Sequence, residues 1–169
     1  MGLDMYLDLK RSEGGARVAG EYAMPGPMED LAERCTEMMG MESIEAETTV
    51  ETVVQIAYWR KANAIHGWFV DNCGDGVDDC SPMEVSAEQL SILLAAVKSV
   101  LANHSLAPEI LPTRKGFFFG SEEYDEWYFD QLGYTEMVLE ELIGFLDAVR
   151  DGKTMDDTGT YTVTYQASW

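Results

Sequence analysis

The basic residues of this sequence are few, and several of them stand beside aromatic rings. Only 11 of the 169 residues are lysine or arginine, and four of these form doublets at residues 60–61 and 114–115. A tyrosine and a tryptophan precede the first doublet, and three phenylalanines follow the second after one glycine. Because a guanidinium can pair with a phosphate or carboxylate while a ring stacks on a flat group, this pattern suggests a site for a nucleotide-like ligand. The candidate ligand-binding residues are Tyr58, Trp59, Arg60, Lys61, Asn63, His66, Arg114, Lys115, Phe117, Phe118, Phe119 and Trp127.

A purely structural role is the alternative for the same residues. The arginines would then pair with surface acids, and the rings would belong to the core. Glycines at both ends of the three phenylalanines allow a sharp turn of the backbone. In a strand, Phe117 and Phe119 would face inward and Phe118 outward, where an exposed ring needs a ligand or another chain.

Signatures of catalysis and of cofactor binding are absent from the sequence. It contains no G-x-x-x-x-G-K-[ST], G-x-S-x-G or H-E-x-x-H, and no G-x-G-x-x-G follows a predicted strand. The chain has two histidines, of which His66 follows an apolar residue of a predicted helix and is interpreted as a hydrogen-bonded junction residue rather than a catalyst. We therefore predict a protein that is not an enzyme and uses no cofactor.

The acidic loop at residues 71–79 has some features of a calcium-binding loop. Asp71, Asp75 and Gly76 match the motif, but Cys73 stands where an oxygen ligand is needed and Pro82 where a glutamate is needed. The sequence predicts a solvated acidic turn. A weak calcium site is the alternative, with the ligands Asp71, Asp75, Asp78 and Asp79.

The cysteines indicate reduced thiols. There are three of them, Cys35, Cys73 and Cys80, and with only two histidines neither a disulfide framework nor a zinc site is expected. The alternative is that Cys73 and Cys80 close a short loop, or that they hold a soft metal with His66. The apolar runs are shorter than the roughly 20 residues of a membrane span, and the N-terminus lacks a signal-peptide pattern, which predicts a cytosolic protein.

The chain is strongly acidic. Against 11 basic residues it has 31 acidic ones, which gives a net charge of −20. Such a surface repels nucleic acid and attracts basic proteins, and it accelerates association with them through long-range steering that salt weakens. The alternative is that acidity only maintains solubility.

Three segments predict strands. Residues 3–10 alternate with apolar side chains on one face, and residues 48–58 are rich in β-branched side chains, with Thr52, Val54, Ile56 and Tyr58 on one face. The last ten residues alternate as well. The apolar face of this terminal strand consists of Tyr161, Val163, Tyr165, Ala167 and Trp169.

Helical spacing predicts helices near residues 27–40, 62–70, 87–101 and 122–149, and a further short strand near Val18. The third helix begins with a capping pattern at Ser86, and the fourth is expected to begin at Glu122 with Ser121 as its cap and to break at Gly133. The prolines at 108 and 112 predict an extended stretch. The rings at 124, 127 and 128 are expected to share one buried helical face.

These elements predict an α+β fold. Several helices pack on one face of a mainly antiparallel sheet that consists of N-terminal, middle and C-terminal strands. The length suits a single domain over residues 1–169. Because terminal strands this apolar must be covered, the first and last strands are expected to lie centrally or side by side.

Three segments resemble a family of small phage and prophage proteins of uncharacterised activity: MGLDMYL at the start, YWRKANAIHGWF, and PTRKGFFFGSEEYDEWYFDQL. Together they cover about a quarter of the chain. The resemblance implies a viral accessory protein that acts inside a bacterium, and interference with host defence as its role.

Two functions follow as hypotheses. In the first, a non-enzymatic inhibitor binds a basic host protein, and its carboxylates occupy a surface that normally contacts nucleic-acid phosphates. In the second, the aromatic and basic residues form a pocket that sequesters a small phosphorylated or nucleotide-like molecule. The charge of the chain favours the first. Neither hypothesis includes direct nucleic-acid binding or a membrane.

Overall fold

The computed structural model describes residues 2–13, 50–153 and 159–169. The predicted helix at residues 27–40, the short strand near Val18 and Cys35 lie outside these ranges. None of the helices in the described ranges is long and apolar enough to cross a membrane.

The described residues form one antiparallel sheet of four strands. The strands are β1 (Asp4–Glu13), β2 (Val50–Arg60), β3 (Met83–Val85) and β4 (Gly159–Ser168), in the spatial order β2-β1-β4-β3. Together with the helices this is an α+β fold, as the sequence predicts. The first and last strands are the two central ones, so the prediction that they lie side by side is confirmed.

A β-bulge in β2 changes which face its side chains occupy. The register with β1 shifts between Leu7 and Asp8, and Ile56 is left without a partner there. Because residues opposite each other share a face of a sheet, Val54 lies on the face of the core leucines of β1, whereas Tyr58 lies on the other face. The predicted common face for residues 52, 54, 56 and 58 is therefore wrong, because the extra residue reverses the alternation.

The described helices are α1 (Asn63–Cys73), α2 (Ala87–Ala102), α3 (Ala107–Ile110) and α4 (Glu126–Arg150), and a 3₁₀ turn (His104–Leu106) precedes α3. The predicted capping box at the start of α2 is confirmed, since Ser86 and Gln89 bond each other's backbone N–H. The predicted extended stretch at Pro108 is wrong. Proline lacks an N–H, and in the first turn of a helix none is needed, so Pro108 is accommodated at the start of α3.

The last helix begins later than the sequence predicts. Asp125 caps it by accepting a bond from the N–H of Tyr128, whereas Ser121 bonds the N–H of Glu123 in a local turn. The helix continues through Gly133 without a break. Because residue 124 precedes the helix, the three rings do not share a buried face, and Trp127 is 54% exposed.

The core lies between the sheet and the helices. Trp59 is fully buried in it, and its indole N–H donates to the hydroxyl of Thr135 on α4 at 2.9 Å. Tyr165 of β4 stacks on Phe69 of α1 with ring centroids 4.0 Å apart. These contacts fix α1 and α4 on one face of the sheet, and α1 positions the residues of the candidate site.

Candidate functional site

Asn63, the first residue of α1, holds the loop that carries the three phenylalanines. Its side chain is buried, and its amide N–H groups donate to the carbonyl oxygens of Phe119 at 3.1 Å and Ser121 at 2.7 Å. Its amide oxygen accepts from the backbone N–H of Arg114 at 3.1 Å. One buried side chain therefore fixes both ends of the loop, which gives Asn63 a positioning role rather than contact with a ligand.

The three phenylalanines form a tight turn and not a strand. Phe117 is 95% exposed, Phe118 is half-buried and Phe119 is 7% exposed. A Cβ atom added to Gly116 would lie 2.4 Å from the ring of Phe119, so only glycine allows the chain to fold back this closely. The prediction that Phe118 is the outward ring and Phe117 an inward one is wrong, because the turn replaces the alternation of a strand.

The two basic doublets lie beside this turn. The N–H of Leu3 donates to the carbonyl of Phe118 at 3.0 Å, and the N–H of Lys61 donates to the carbonyl of Leu3 at 2.8 Å. A Cβ atom added to Gly120 would lie 3.0 Å from the Cβ of Lys61. The turn, the end of β2 and the second doublet thus meet at one end of the sheet, which we call the basic end (Arg60, Lys61, Arg114 and Lys115).

Two cations of the basic end, Arg60 and Lys115, are weakly paired. Arg60 lies 3.9 Å from Asp4, and Lys115 lies 3.5 Å from Glu122, with more than half of each cationic side chain exposed. Exposed pairs of this kind contribute about 0–1 kcal/mol. These cations therefore remain available for other contacts.

The other predicted aromatic residues do not join this end as one pocket. Tyr58 lies on the outer face of the sheet and donates its hydroxyl to Asp4. Trp59 is in the core. Trp127 is exposed near the start of α4 and lines a narrow depression with Lys61.

His66 lies at the centre of a buried hydrogen-bond chain. It has no exposed surface, and its Nε2 lies 3.0 Å from Oδ2 of Asp78 and its Nδ1 lies 2.8 Å from the hydroxyl of Tyr165. The other oxygen of Asp78 accepts the indole N–H of Trp169 at 3.2 Å. Phe119 meets the imidazole edge to face, with centroids 5.0 Å apart. The hydrogen bonds of His66 connect α1 with the acidic loop and β4, and its ring contact connects α1 with the phenylalanine turn.

Burial determines the protonation of His66 and Tyr165 in this hydrogen-bond chain. Burial lowers the pKa of His66 below 6.5, although the hydrogen bond and the charge of Asp78 oppose this. Burial also holds the pKa of the Tyr165 hydroxyl well above 10. The neutral imidazole therefore donates from Nε2 to Asp78 and accepts at Nδ1 from Tyr165. Every polar atom of the ring is satisfied inside the protein, which makes His66 a structural residue.

This protonation predicts how stability depends on pH. Because the pKa of His66 is lower in the folded protein than in the unfolded chain, the unfolded chain binds more protons below about pH 6.5. Asp78 and Asp71 raise this pKa and Arg114 lowers it, but burial is the largest effect. We expect the free energy of unfolding to be highest above pH 6.5 and to fall as the pH decreases through the window below it. Urea denaturation across this window measures the slope.

The His66→Gln variant is the control for the pH experiment. Glutamine does not titrate, so the slope between neutral and mildly acidic pH should be smaller than in the wild type. Carboxylates that do not contact residue 66 contribute equally to both proteins and cancel in the comparison, and the glutamine amide can still donate to Asp78. Identical slopes would show that His66 is not the titrating group.

A cleft lies between α1 and residues 110–114. Its volume is about 220 Å³. Arg114 borders it, with Nη2 at 3.3 Å from Oδ1 of Asp71 and Nη1 at 3.4 Å from the carbonyl of Gly67. A Cβ atom added to Gly67 would lie 3.3 Å from Cδ of Arg114, so the glycine lets the arginine stem lie close to the helix. The lining residues are Ala64, Gly67, Trp68, Asp71, Asn72, Ile110, Leu111, Pro112, Thr113 and Arg114.

Among the predicted ligand-binding residues, only Arg114 lines this cleft. Trp68 and Asp71 were not among the ligand-binding candidates, because nothing in the sequence shows that they face residues 110–114. The sequence contains one indication of this cleft, which is Gly67. A glycine inside a helical pattern lowers the stability of the helix and therefore indicates a close packing contact.

Metal chemistry has little support in the described ranges. No group of three or more histidine, cysteine, aspartate or glutamate side chains in them could hold a metal ion. Cys73 and Cys80 are both free thiols. Burial raises the pKa of Cys73 to about 11, so this thiol stays protonated and is a poor nucleophile.

No protein-family model, curated protein or solved structure matches this chain significantly.

Proposed function

We propose that this protein is a non-enzymatic accessory protein of a phage, and that it inhibits a basic host protein through the acidic face of α4. In this proposal its carboxylates occupy a surface where the partner binds nucleic-acid phosphates. The resemblance of its three sequence segments to phage proteins supports the setting, a bacterial cytoplasm. The distribution of charge along α4 supports the mechanism.

The observation that carries the proposal is a long stretch without positive charge. Between Lys115 and Arg150 there is no lysine or arginine, and there are nine aspartates and glutamates. Glu126, Asp130 and Glu141 on α4 are all exposed. With 25 residues the helix is about 37 Å long, similar to the roughly 34 Å of one turn of B-DNA.

The segregation of charge also supports the proposal. Four of the basic residues in the described ranges lie at the basic end of the sheet, beside the phenylalanine turn. On the α4 side, Lys98 pairs with Glu140 at 2.6 Å, with both side chains about half exposed. The acidic face therefore presents nearly uncompensated negative charge, which favours encounter with a basic surface.

A triple variant tests the acidic face. Glu126→Gln, Asp130→Asn and Glu141→Gln together remove three exposed carboxylates and preserve side-chain size. We expect the affinity for a basic partner to fall about tenfold at low salt, since three contacts of about 0.5 kcal/mol each are lost. The measurement is capture of nucleic-acid-binding proteins from bacterial lysate, followed by the dissociation constant of the captured protein.

The matched control has the same net charge. Asp75→Asn, Glu84→Gln and Glu109→Gln remove three exposed carboxylates away from α4. This variant should retain wild-type affinity, and duplex DNA should displace the partner from both proteins. Equal losses in the two variants would contradict a role for α4. An affinity that does not change with salt would contradict the substitution of carboxylates for phosphates.

A second candidate function is the binding of a small ligand. The cleft beside Arg114 favours it, because its lining places an aromatic ring and aliphatic side chains next to hydrogen-bonding groups. In this function the protein sequesters a nucleotide-like molecule from the host. A thermal-shift screen of nucleosides and nucleotides tests it, since a ligand at a hundred times its dissociation constant stabilises a protein by about 2.7 kcal/mol.

A further inference from the structure

We propose that the cleft between α1 and residues 110–114 binds an uncharged planar heterocycle that has the hydrogen-bonding edge of guanine. The inference rests on the second candidate function and specifies the ligand. It does not depend on the acidic face of α4.

The lining of the cleft includes an aromatic ring on which a flat ligand can stack. Trp68 is half-buried, and its ring is held edge to face against Phe69 with centroids 5.5 Å apart. The carbonyl of Trp68 accepts a bond from the side chain of Asn72 at 2.8 Å, which fixes this turn of α1. Ile110 and Pro112 supply further apolar lining. A nucleobase stacked on an aromatic side chain gains about 1–3 kcal/mol.

The polar groups at the border of the cleft indicate which edge of the ring is recognised. Asp71 supplies two carboxylate oxygens as acceptors, and Nη2 of Arg114 stands 3.3 Å from one of them as a donor. The edge of guanine has two neighbouring N–H donors beside a carbonyl acceptor, which complements a carboxylate next to a guanidinium. Adenine offers a single amino group on that edge and would leave one carboxylate oxygen without a partner.

The arginine is preorganised for this contact. Its backbone N–H is held by Asn63, its stem lies against Gly67, and its Nη1 donates to the carbonyl of Gly67. Only about one third of its side chain is exposed. A side chain already fixed in position loses little conformational entropy when a ligand binds.

The charge of the protein favours an uncharged ligand. The net charge of −20 repels phosphate groups, and the cation nearest the cleft is already paired with Asp71. A nucleoside avoids this repulsion, whereas each phosphate added to it increases the repulsion. Guanosine should therefore bind more tightly than guanosine monophosphate at low salt, and the difference should decrease as salt is added.

The test is calorimetric titration of the wild-type protein with guanosine, adenosine, cytidine and guanosine monophosphate. We expect guanosine to bind at least tenfold more tightly than adenosine, because a hydrogen bond to a charged group contributes about 1.5–3 kcal/mol. Asp71→Asn should lower guanosine affinity at least tenfold. Asp75→Asn, an exposed aspartate in the following loop, is the matched control and should bind as the wild type does.

The outcomes separate the inference from the function on which it rests. If adenosine or cytidine binds as tightly as guanosine, the cleft is a ligand site but the assigned edge is wrong. If Asp71→Asn leaves guanosine affinity unchanged, the carboxylate is not the recognition group and the inference fails. If no nucleoside or nucleotide binds, both the inference and the second candidate function are overturned.

Discussion

Replacing His66 with alanine is expected to lower the free energy of unfolding by about 4 kcal/mol. The imidazole is completely buried, so its removal leaves a cavity that the neighbouring rings of Phe119 and Tyr165 cannot fill without moving. The change also leaves the buried hydroxyl of Tyr165 without an acceptor. Urea denaturation at neutral pH, followed by circular dichroism, measures the loss.

The second histidine of the chain is the matched control. His104 is exposed and stacks on Phe129 with centroids 3.7 Å apart, so His104→Ala should cost no more than about 1 kcal/mol. Tyr165→Phe removes only the hydroxyl and should cost about 1–3 kcal/mol, because the Nδ1 of His66 then has no donor. If His66→Ala costs no more than His104→Ala, the hydrogen-bond chain does not stabilise the fold.

Replacing Asn63 with alanine is expected to cost about 3 kcal/mol. Three hydrogen bonds are lost, each contributing about 1 kcal/mol, and they hold the carbonyls of Phe119 and Ser121 and the N–H of Arg114. The phenylalanine turn should then open locally. Trypsin cleavage after residues 114–115 should become about a hundredfold faster under native conditions, because it follows the population of the open form.

Two further variants make this result interpretable. Asn72→Ala removes one exposed hydrogen bond to the carbonyl of Trp68, and it should cost less than about 1 kcal/mol without exposing the turn to trypsin. Asn63→Asp retains the acceptor for Arg114 but loses both donors to the carbonyls, so it should be cleaved nearly as fast as Asn63→Ala. Slow cleavage of the alanine variant would show that other contacts hold the turn.

The strands could be predicted because local alternation and burial agree. Leu3, just before β1, and Met5 and Leu7 in β1 are completely buried, and in β4 the predicted apolar face includes the buried Val163 and Tyr165. The middle strand, β2, was also predicted, but the common face predicted for its residues 52, 54, 56 and 58 was wrong. A bulge depends on how two strands align, and the sequence of β2 alone contains no sign of the extra residue at position 56.

The conformation of the loop between α3 and α4 also depends on contacts that the local sequence does not show, so it could not be predicted. Its conformation depends on Asn63, which lies more than 50 residues away along the chain. Asn63 was among the candidate residues for a different role. Asn63 also holds the carbonyl of Ser121, the residue predicted as the helix cap, whereas Asp125 caps the helix in the structure.

The candidate site was predicted in part. The sequence indicated that scarce cations and aromatic rings gather in two segments, and the structure brings these segments together around one turn. The sequence did not show that Trp59 and His66 are core residues, because an apolar or aromatic stripe has the same pattern whether it faces a ligand or the interior. The pairing of Asp71 with Arg114 could not be anticipated, because it joins residues 43 positions apart.

The pairing of β1 with β4 at the centre of the sheet has a consequence for folding during synthesis. During synthesis β1 leaves the ribosome before the other described strands, and one of its two neighbours in the sheet, β4, follows only about 150 residues later. Contacts so distant in sequence slow folding, since a long loop must close before they form. The nascent chain must therefore keep an apolar strand edge away from other chains until β4 has been made, and its dense negative charge, by mutual repulsion, is suited to that task.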